Sequence, residues 1–104
     1  MIKQEKRRYL ALQLVCQQNI EEFTVFNAVK NSVLKLFGEY GASKANLKQI
    51  KYYPEKKQLI IRCSHLMLDR VRAAIATIIE INGINVVVHV LAVSGTLKSL
   101  SKKL

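Results

Sequence analysis

Tryptophan is absent from this chain, aspartate and proline occur once each (Asp69 and Pro54), and histidine and cysteine twice each. With Asp69 alone and the glutamates scattered, no acidic pair is spaced to hold a metal ion or to divide acid and base roles. Gly38, Gly41, Gly83 and Gly95 stand apart, each near an expected element boundary, so there is no glycine-rich phosphate loop. Cys16 and Cys63 allow one disulfide at most and lack zinc-knuckle spacing; both lie in apolar strand-like runs, where buried free thiols in a reducing compartment are expected. His65 follows Cys63 by two residues, which supplies too few ligands for a zinc site and gives no thiol nucleophile. No metal site is expected. Nor does any apolar run reach the about 20 residues that span a bilayer. The opening MIKQEKRRYLALQLV has a short apolar run that meets Gln13, Gln17 and Gln18 without a small-residue cleavage pattern, so it reads as a strand and not a signal peptide. A cytoplasmic location without membrane contact is expected.

What the chain has in excess is positive charge. Seventeen Lys and Arg against seven Asp and Glu give +10 in 104 residues, beyond the magnitude of roughly 2–8 that suffices for solubility. Such a domain repels itself unless a polyanion or acidic partner relieves the charge, and nucleic acid ranks ahead of a membrane. The cations gather near the start (Lys3, Lys6, Arg7, Arg8), in the middle (Lys44, Lys48, Lys51, Lys56, Lys57) and at the finish (Lys98, Lys102, Lys103). Half of the residues are hydrophobic, enough for one core, so residues 1–104 are expected to form a single domain.

Hydrophobic period divides the chain into six elements. Arg8–Cys16 alternates as a strand, with Leu10, Leu12, Leu14 and Cys16 on one face and Tyr9, Ala11, Gln13 and Val15 on the other. Phe26, Val29, Val33, Leu36, Phe37 and Tyr40 then recur at helical spacing, with Thr24 as N-cap, Asn19 as an earlier alternative, and Gly38 and Gly41 as the stop. Lys48–Tyr53, the turn PEKK and Gln58–Ser64 make a hairpin. A second helix, capped by Ser64, carries the stripe Leu68, Val71, Ala74, Ile75, Ile78 and Ile79 and ends at Asn82–Gly83; Val86–Val93 is the last strand. The order βαββαβ predicts an α+β, ferredoxin-like (RRM-like) fold: a four-stranded antiparallel sheet with both helices on one face. The first and third strands are expected at its centre, paired in parallel.

The face turned from the helices would carry Tyr9, Ala11, Gln13, Val15, Ile60, Arg62, Val87, His89, Leu91 and Val93. Sheets that read RNA by stacking offer two or three aromatics on such a face, and here only Tyr9 qualifies. A half-apolar face suits a protein interface, through Tyr9, Ala11, Val15, Val87, His89, Leu91 and Val93, with RNA held electrostatically around it. Arg62 is either an edge arginine reaching water or a phosphate contact, and His89 either a surface histidine or part of the interface. Ser94, Gly95 and Thr96 admit two compatible readings: an anion-receiving nest, or a turn capped by Ser94 or Thr96 that opens a short C-terminal helix. Leu97, Leu100 and Leu104 would give that helix an apolar side for a partner.

Three segments, LIIRCSH, VRAAIATIIEINGINVVVHVLAVSGT and KRRYLALQLV, resemble in order and spacing the protein component 2 (Pop5) family of archaeal and eukaryotic ribonuclease P. The resemblance covers nearly the whole domain and looks archaeal in its compact form, although the first strand ends in LVCQQN where the family is more acidic. It implies a non-catalytic subunit of the ribonuclease P holoenzyme, which binds and stabilises the catalytic RNA while that RNA removes 5′ leaders from precursor tRNA. Magnesium ions would sit on the RNA, and the protein itself would bind no cofactor. The partners implied are the catalytic RNA, precursor tRNA as substrate, and the barrel-like protein component 3, two such pairs joining as a heterotetramer. RNA contacts are expected from Arg7, Arg8, Lys48, Arg62, Arg72, Ser94, Gly95, Thr96, Lys98, Lys102 and Lys103. The competing reading is a protein–protein scaffold of an RNA-processing complex with little direct RNA contact.

Overall fold

The computed structural model describes residues 6–104, so Lys3 lies outside the described residues. In chain order the elements are β1 (Arg7–Val15), α1 (Glu22–Ala45), β2 (Lys48–Tyr53), β3 (Gln58–Ser64), α2 (Leu68–Ala76), β4 (Glu80–Ile81), β5 (Ile84–Asn85), β6 (Val87–Ser94) and α3 (Leu97–Lys103). The main sheet has the order β2-β3-β1-β6, and every neighbouring pair is antiparallel. The expected parallel pairing of the first and third strands is therefore wrong. A tight hairpin reverses β3 against β2, and α1 carries the chain back so that β2 runs with β1. The strand inserted between them must oppose both, from Arg7 opposite Ser64 to Gln13 opposite Gln58.

The β2–β3 hairpin keeps its expected bounds. Its turn is pinned to β1: Gln13 Nε2 donates to the Lys56 carbonyl at 2.7 Å, the Leu14 amide to the Lys57 carbonyl at 2.9 Å, and Lys57 Nζ to the Cys16 carbonyl at 2.6 Å. Gln58 Nε2 in turn donates to Gln13 Oε1 at 3.0 Å. These bonds satisfy groups that the strand alternation alone would leave pointing at solvent, and they make the turn a rigid part of the sheet.

Helix α1 begins one turn before Thr24, after Glu21, and no side chain caps it. Glu22 in its first turn faces the positive end of the helix dipole, which favours an acidic residue there. Gly38 does not stop the helix but kinks it, with φ 72° and ψ −177°, and the chain continues helically to Ala45. The kink changes which side faces inward. Val25, Phe26, Val29 and Val33 are buried and Phe37 packs against the core as expected, but Leu36 just before the kink is exposed, and beyond it Gly41 and Ala45 point inward while Tyr40 is exposed. A Cβ on Gly41 would fall 2.5 Å from Phe37 Cβ, so only glycine permits this approach.

Ser64 does cap, accepting the Leu66 amide at 3.3 Å at the start of a 3-10 turn, His65–Met67, that leads into α2. Helix α2 ends at Ala76, earlier than expected, so Ile79 of its predicted stripe is exposed while Ile78 stays in the core. Asn82 and Gly83, expected as the helix stop, instead form the turn of the small β4–β5 hairpin. Both have positive φ, 50° and 81°, the conformation that an Asn-Gly pair adopts most readily in a two-residue turn.

One core lies between the sheet and the two long helices. Leu10, Leu12, Leu14, Leu59, Ile61 and Cys63 from the strands meet Val25, Val29, Val33, Val71, Ala74 and Ile75 from α1 and α2. A second, smaller cluster lies on the opposite face, where α3 lays Leu100 over Ala11 and Ile60, with Tyr9, Ile50, Tyr53 and Ala92 around them. The C-terminal helix thus does form, and Leu100 docks on its own sheet; Leu97 and Leu104 remain partly exposed.

Candidate nucleic-acid interface

The antiparallel order brings the starts of β1 and β2 and the ends of β3 and β6 to one end of the sheet. Arg62 lies opposite both Tyr9 and Lys48, Arg7 opposite Ser64, and Tyr9 opposite Ser94. Alternation turns Arg62, Lys48 and Arg7 to the face that α1 and α2 leave open, and Arg8 to the helix side. Arg8 Nη1 donates to the Arg7 carbonyl at 2.9 Å and would lie 3.7 Å from a Cβ on Gly95. Sequence-distant cations thus meet on both sides of one sheet end. Arg7 and Lys48 are exposed and Arg8 and Arg62 half-buried, as expected where long side chains lay their stems along the protein.

The end of β6 serves as a cap. Thr96 Oγ1 accepts the Ser99 amide at 3.1 Å and opens α3, and the buried Ser94 accepts the Thr96 amide at 3.4 Å. The turn reading therefore holds, and the Thr96 amide is committed within the chain. Lys98 and Lys102 are exposed on α3, whereas Lys103 Nζ donates to the Val93 carbonyl at 2.8 Å. Arg72 is exposed on α2, in the helix layer, and does not join Arg62 and Lys48 on the open face.

Two expected protein-interface residues are corrected. Ala11 is fully buried beneath α3. Val93 faces the helix-side core because β6 contains a bulge: Ala11 pairs with Ala92 but Leu12 with Val90, so Leu91 is an extra residue and the alternation reverses beyond it. Tyr9 is half-buried against the Leu100 cluster. The remaining four stay together and open. Val15 (54% exposed) pairs with Val87 (51%), His89 pairs with Gln13, and Leu91 (47%) adjoins them in the bulge. The open face is thus divided into an apolar patch towards the far end, the α3-covered middle, and the basic end.

Sequence reasoning missed a further group on this face. In β2, Lys51 lies opposite Ile60 and Tyr53 opposite Gln58, and the Tyr53 ring packs against the cluster around Leu100. Lys51 Nζ stands 5.0 Å and Lys56 Nζ 5.7 Å from the centre of that ring. The signal was present in the two-residue spacing of Lys51 and Tyr53, but counting aromatics on the central strands alone passed over the edge strand.

The Cys63 thiol is pushed up to about 11 by burial, with Arg8 pulling the other way. It is a core group and stays protonated at neutral pH. Among the described residues, no group of three or more His, Cys, Asp or Glu is placed to hold a metal ion, and no helix is long and apolar enough to cross a membrane. A groove of about 640 Å³ between α1 and the β4–β5 region is lined by Phe23, Asn27, Asn31, Leu36 and Ile79, and contains none of the expected site residues.

Residues 8–104 match the Rpp14/Pop5 family. The chain belongs to that family. It is 34% identical to ribonuclease P protein component 2 of Methanosarcina barkeri over 94% of this chain and 71% of that protein. The protein of the same description in Pyrococcus abyssi is 31% identical over 95% and 84% respectively. Among solved structures, a chain in the cryo-EM structure of yeast ribonuclease MRP has a TM-score of 0.69, covering 93% of this chain and 79% of its own length at 19% identity. That likeness carries the ferredoxin-like fold, and the family resemblance read from the sequence is confirmed.

Proposed function

We propose that this chain is the component 2 protein of a ribonuclease P ribonucleoprotein, a non-catalytic subunit that binds and steadies the RNA which removes 5′ leaders from precursor tRNA. The observation that carries the reading is the meeting of Arg7, Arg8, Lys48 and Arg62 at one sheet end in a chain of net charge +10. Full-length similarity to proteins described as ribonuclease P component 2 supports the same assignment. Phosphate oxygens suit these donors, because guanidinium and ammonium groups bind them without regard to sequence. Magnesium belongs on the RNA in this reading, and the cleavage chemistry with it. Ser94, Gly95 and Thr96 serve by shaping the turn beside Arg8, and Lys98 and Lys102 extend the positive surface along α3.

The patch of Val15, Val87, His89 and Leu91 favours a protein neighbour, for which the barrel-like component 3 is the candidate, with two such pairs forming a heterotetramer. A scaffold with little RNA contact rests on that same patch, and the two readings separate by salt. Binding of the full chain to the catalytic RNA should weaken steeply with salt, and Arg62→Gln should lower the log–log slope by about 1 while affinity falls similarly for all RNA sequences. A flat salt response would overturn direct RNA binding in favour of the scaffold. Cleavage of precursor tRNA by the chain alone, after complete removal of RNA, would overturn the non-catalytic role.

A further inference from the structure

Lys51, Tyr53 and Lys56 have no part in the sheet-end contacts, Lys48 at the start of β2 being shared by both, and the make-up of this group is specific. An edge strand studded with lysines is commonly a guard against strand-to-strand aggregation. That purpose accounts for Lys48 and Lys51, which are exposed along the edge, but not for an aromatic ring set between two of the lysines. Tyr53 is supported from below by the Ala11, Ile60 and Leu100 cluster, so its ring is held in place by packing. Lys56 approaches it from a turn clamped by the Gln13 and Leu14 hydrogen bonds. Lys48, Lys51 and Lys56 therefore form a row of positive charge alongside a fixed aromatic platform.

We propose that the β2 edge is a binding site for a single-stranded stretch of RNA, in which Tyr53 stacks an unpaired base and Lys48, Lys51 and Lys56 hold the phosphates on either side. The inference rests on the RNA-binding role above and adds to it a site with a different ligand, an unstacked base in place of backbone alone. In the unbound protein the two ammonium groups lie against the ring. A base stacks on an aromatic ring more strongly than an exposed ammonium holds to it, so the base displaces the lysines and releases them to the neighbouring phosphates. A duplex cannot use this platform, because its bases are already stacked and paired. The RNA is chosen over a protein strand because the span from Lys48 to Lys57 carries four lysines against one acidic residue, Glu55.

The test compares a fluorescently labelled single-stranded oligonucleotide RNA of mixed sequence with a blunt RNA duplex, each titrated with the full chain. Tyr53→Leu keeps apolar contact with the Leu100 cluster but removes the stacking ring, and should weaken single-strand binding about 5- to 100-fold with little change for the duplex. Tyr53→Phe should bind like the parent chain. Replacing Lys48, Lys51 and Lys56 together by Gln, all in exposed positions, should reduce the single-strand salt slope by about 2. Equal affinity of Tyr53→Leu and the parent for the single strand, or an equal loss on both RNAs, would overturn the stacking site and leave the sheet-end reading standing. If the parent chain bound neither RNA, the RNA-binding role and this site would fall together.

Discussion

The two faces of the sheet solve different problems with the same strands. On the helix side, Leu10, Leu12 and Leu14 alternate into a deep core closed by α1 and α2. On the other side, Ala11 and Ile60 meet a single side chain, Leu100, from a helix of seven residues. A helix that short does not hold itself together in water, so α3 depends on its Thr96 cap and on that one docked leucine. The first face supplies stability and leaves nothing for a ligand; the second gives up burial and so keeps its cations, its rings and its apolar patch within reach of partners.

This contrast can be broken in three places. Leu12→Ala opens a cavity in the closed face, where nothing can move in to fill it, and should cost about 3–4 kcal/mol, read as a loss of unfolding free energy in urea. Cys63 tests the same face by pH. Its thiol is raised to about 11 in the folded chain from 9.0, so the folded state holds its proton more tightly than the unfolded one. Its contribution is fully present below about pH 9 and is lost as the pH climbs towards 11, an effect of about 2–3 kcal/mol. Cys63→Ala should flatten that alkaline limb in a pH series of denaturation midpoints. Leu100→Ala belongs to the thin face and should cost less globally, about 2 kcal/mol. Its clearest sign is local: trypsin should cut at Lys98 and Lys102 many times faster while β1–β3 remain protected. A global loss as large as that of Leu12→Ala would show that the two faces are one cooperative core after all.

The sequence carried the strand–helix order and the hairpin because these depend on local period and on turn residues such as Pro54. It also marked Arg62, since alternation assigns a face as soon as the strand is found, and Arg7 and Lys48 through their places in the basic groups. What it could not carry were events set by pairing between distant segments. Whether Leu91 is an extra residue depends on how β6 meets β1, and nothing in VVVHVLAV breaks the alternation that placed Val93 on the wrong side. The burial of Ala11 depends on a helix about 90 residues later folding back over it. Gly38 showed a weak point in α1 but not its outcome, because a kink and a stop share the same residue and are decided by what the next turn can pack against. Tyr53 was overlooked for another reason: an edge strand was weighed as a boundary of the sheet rather than as a surface.

The bulge at Leu91 has a directional effect on everything after it. A strand that takes one step more than its neighbour leaves the sheet rotated by half a turn, so Ser94 hands the chain over to the side where Ala11 and Ile60 wait for Leu100. In a regular strand of the same sequence, with Leu91 opposite Ala11, Ser94 would face the layer already filled by α1 and α2, and the tail, lysines included, would leave the open side without Leu100.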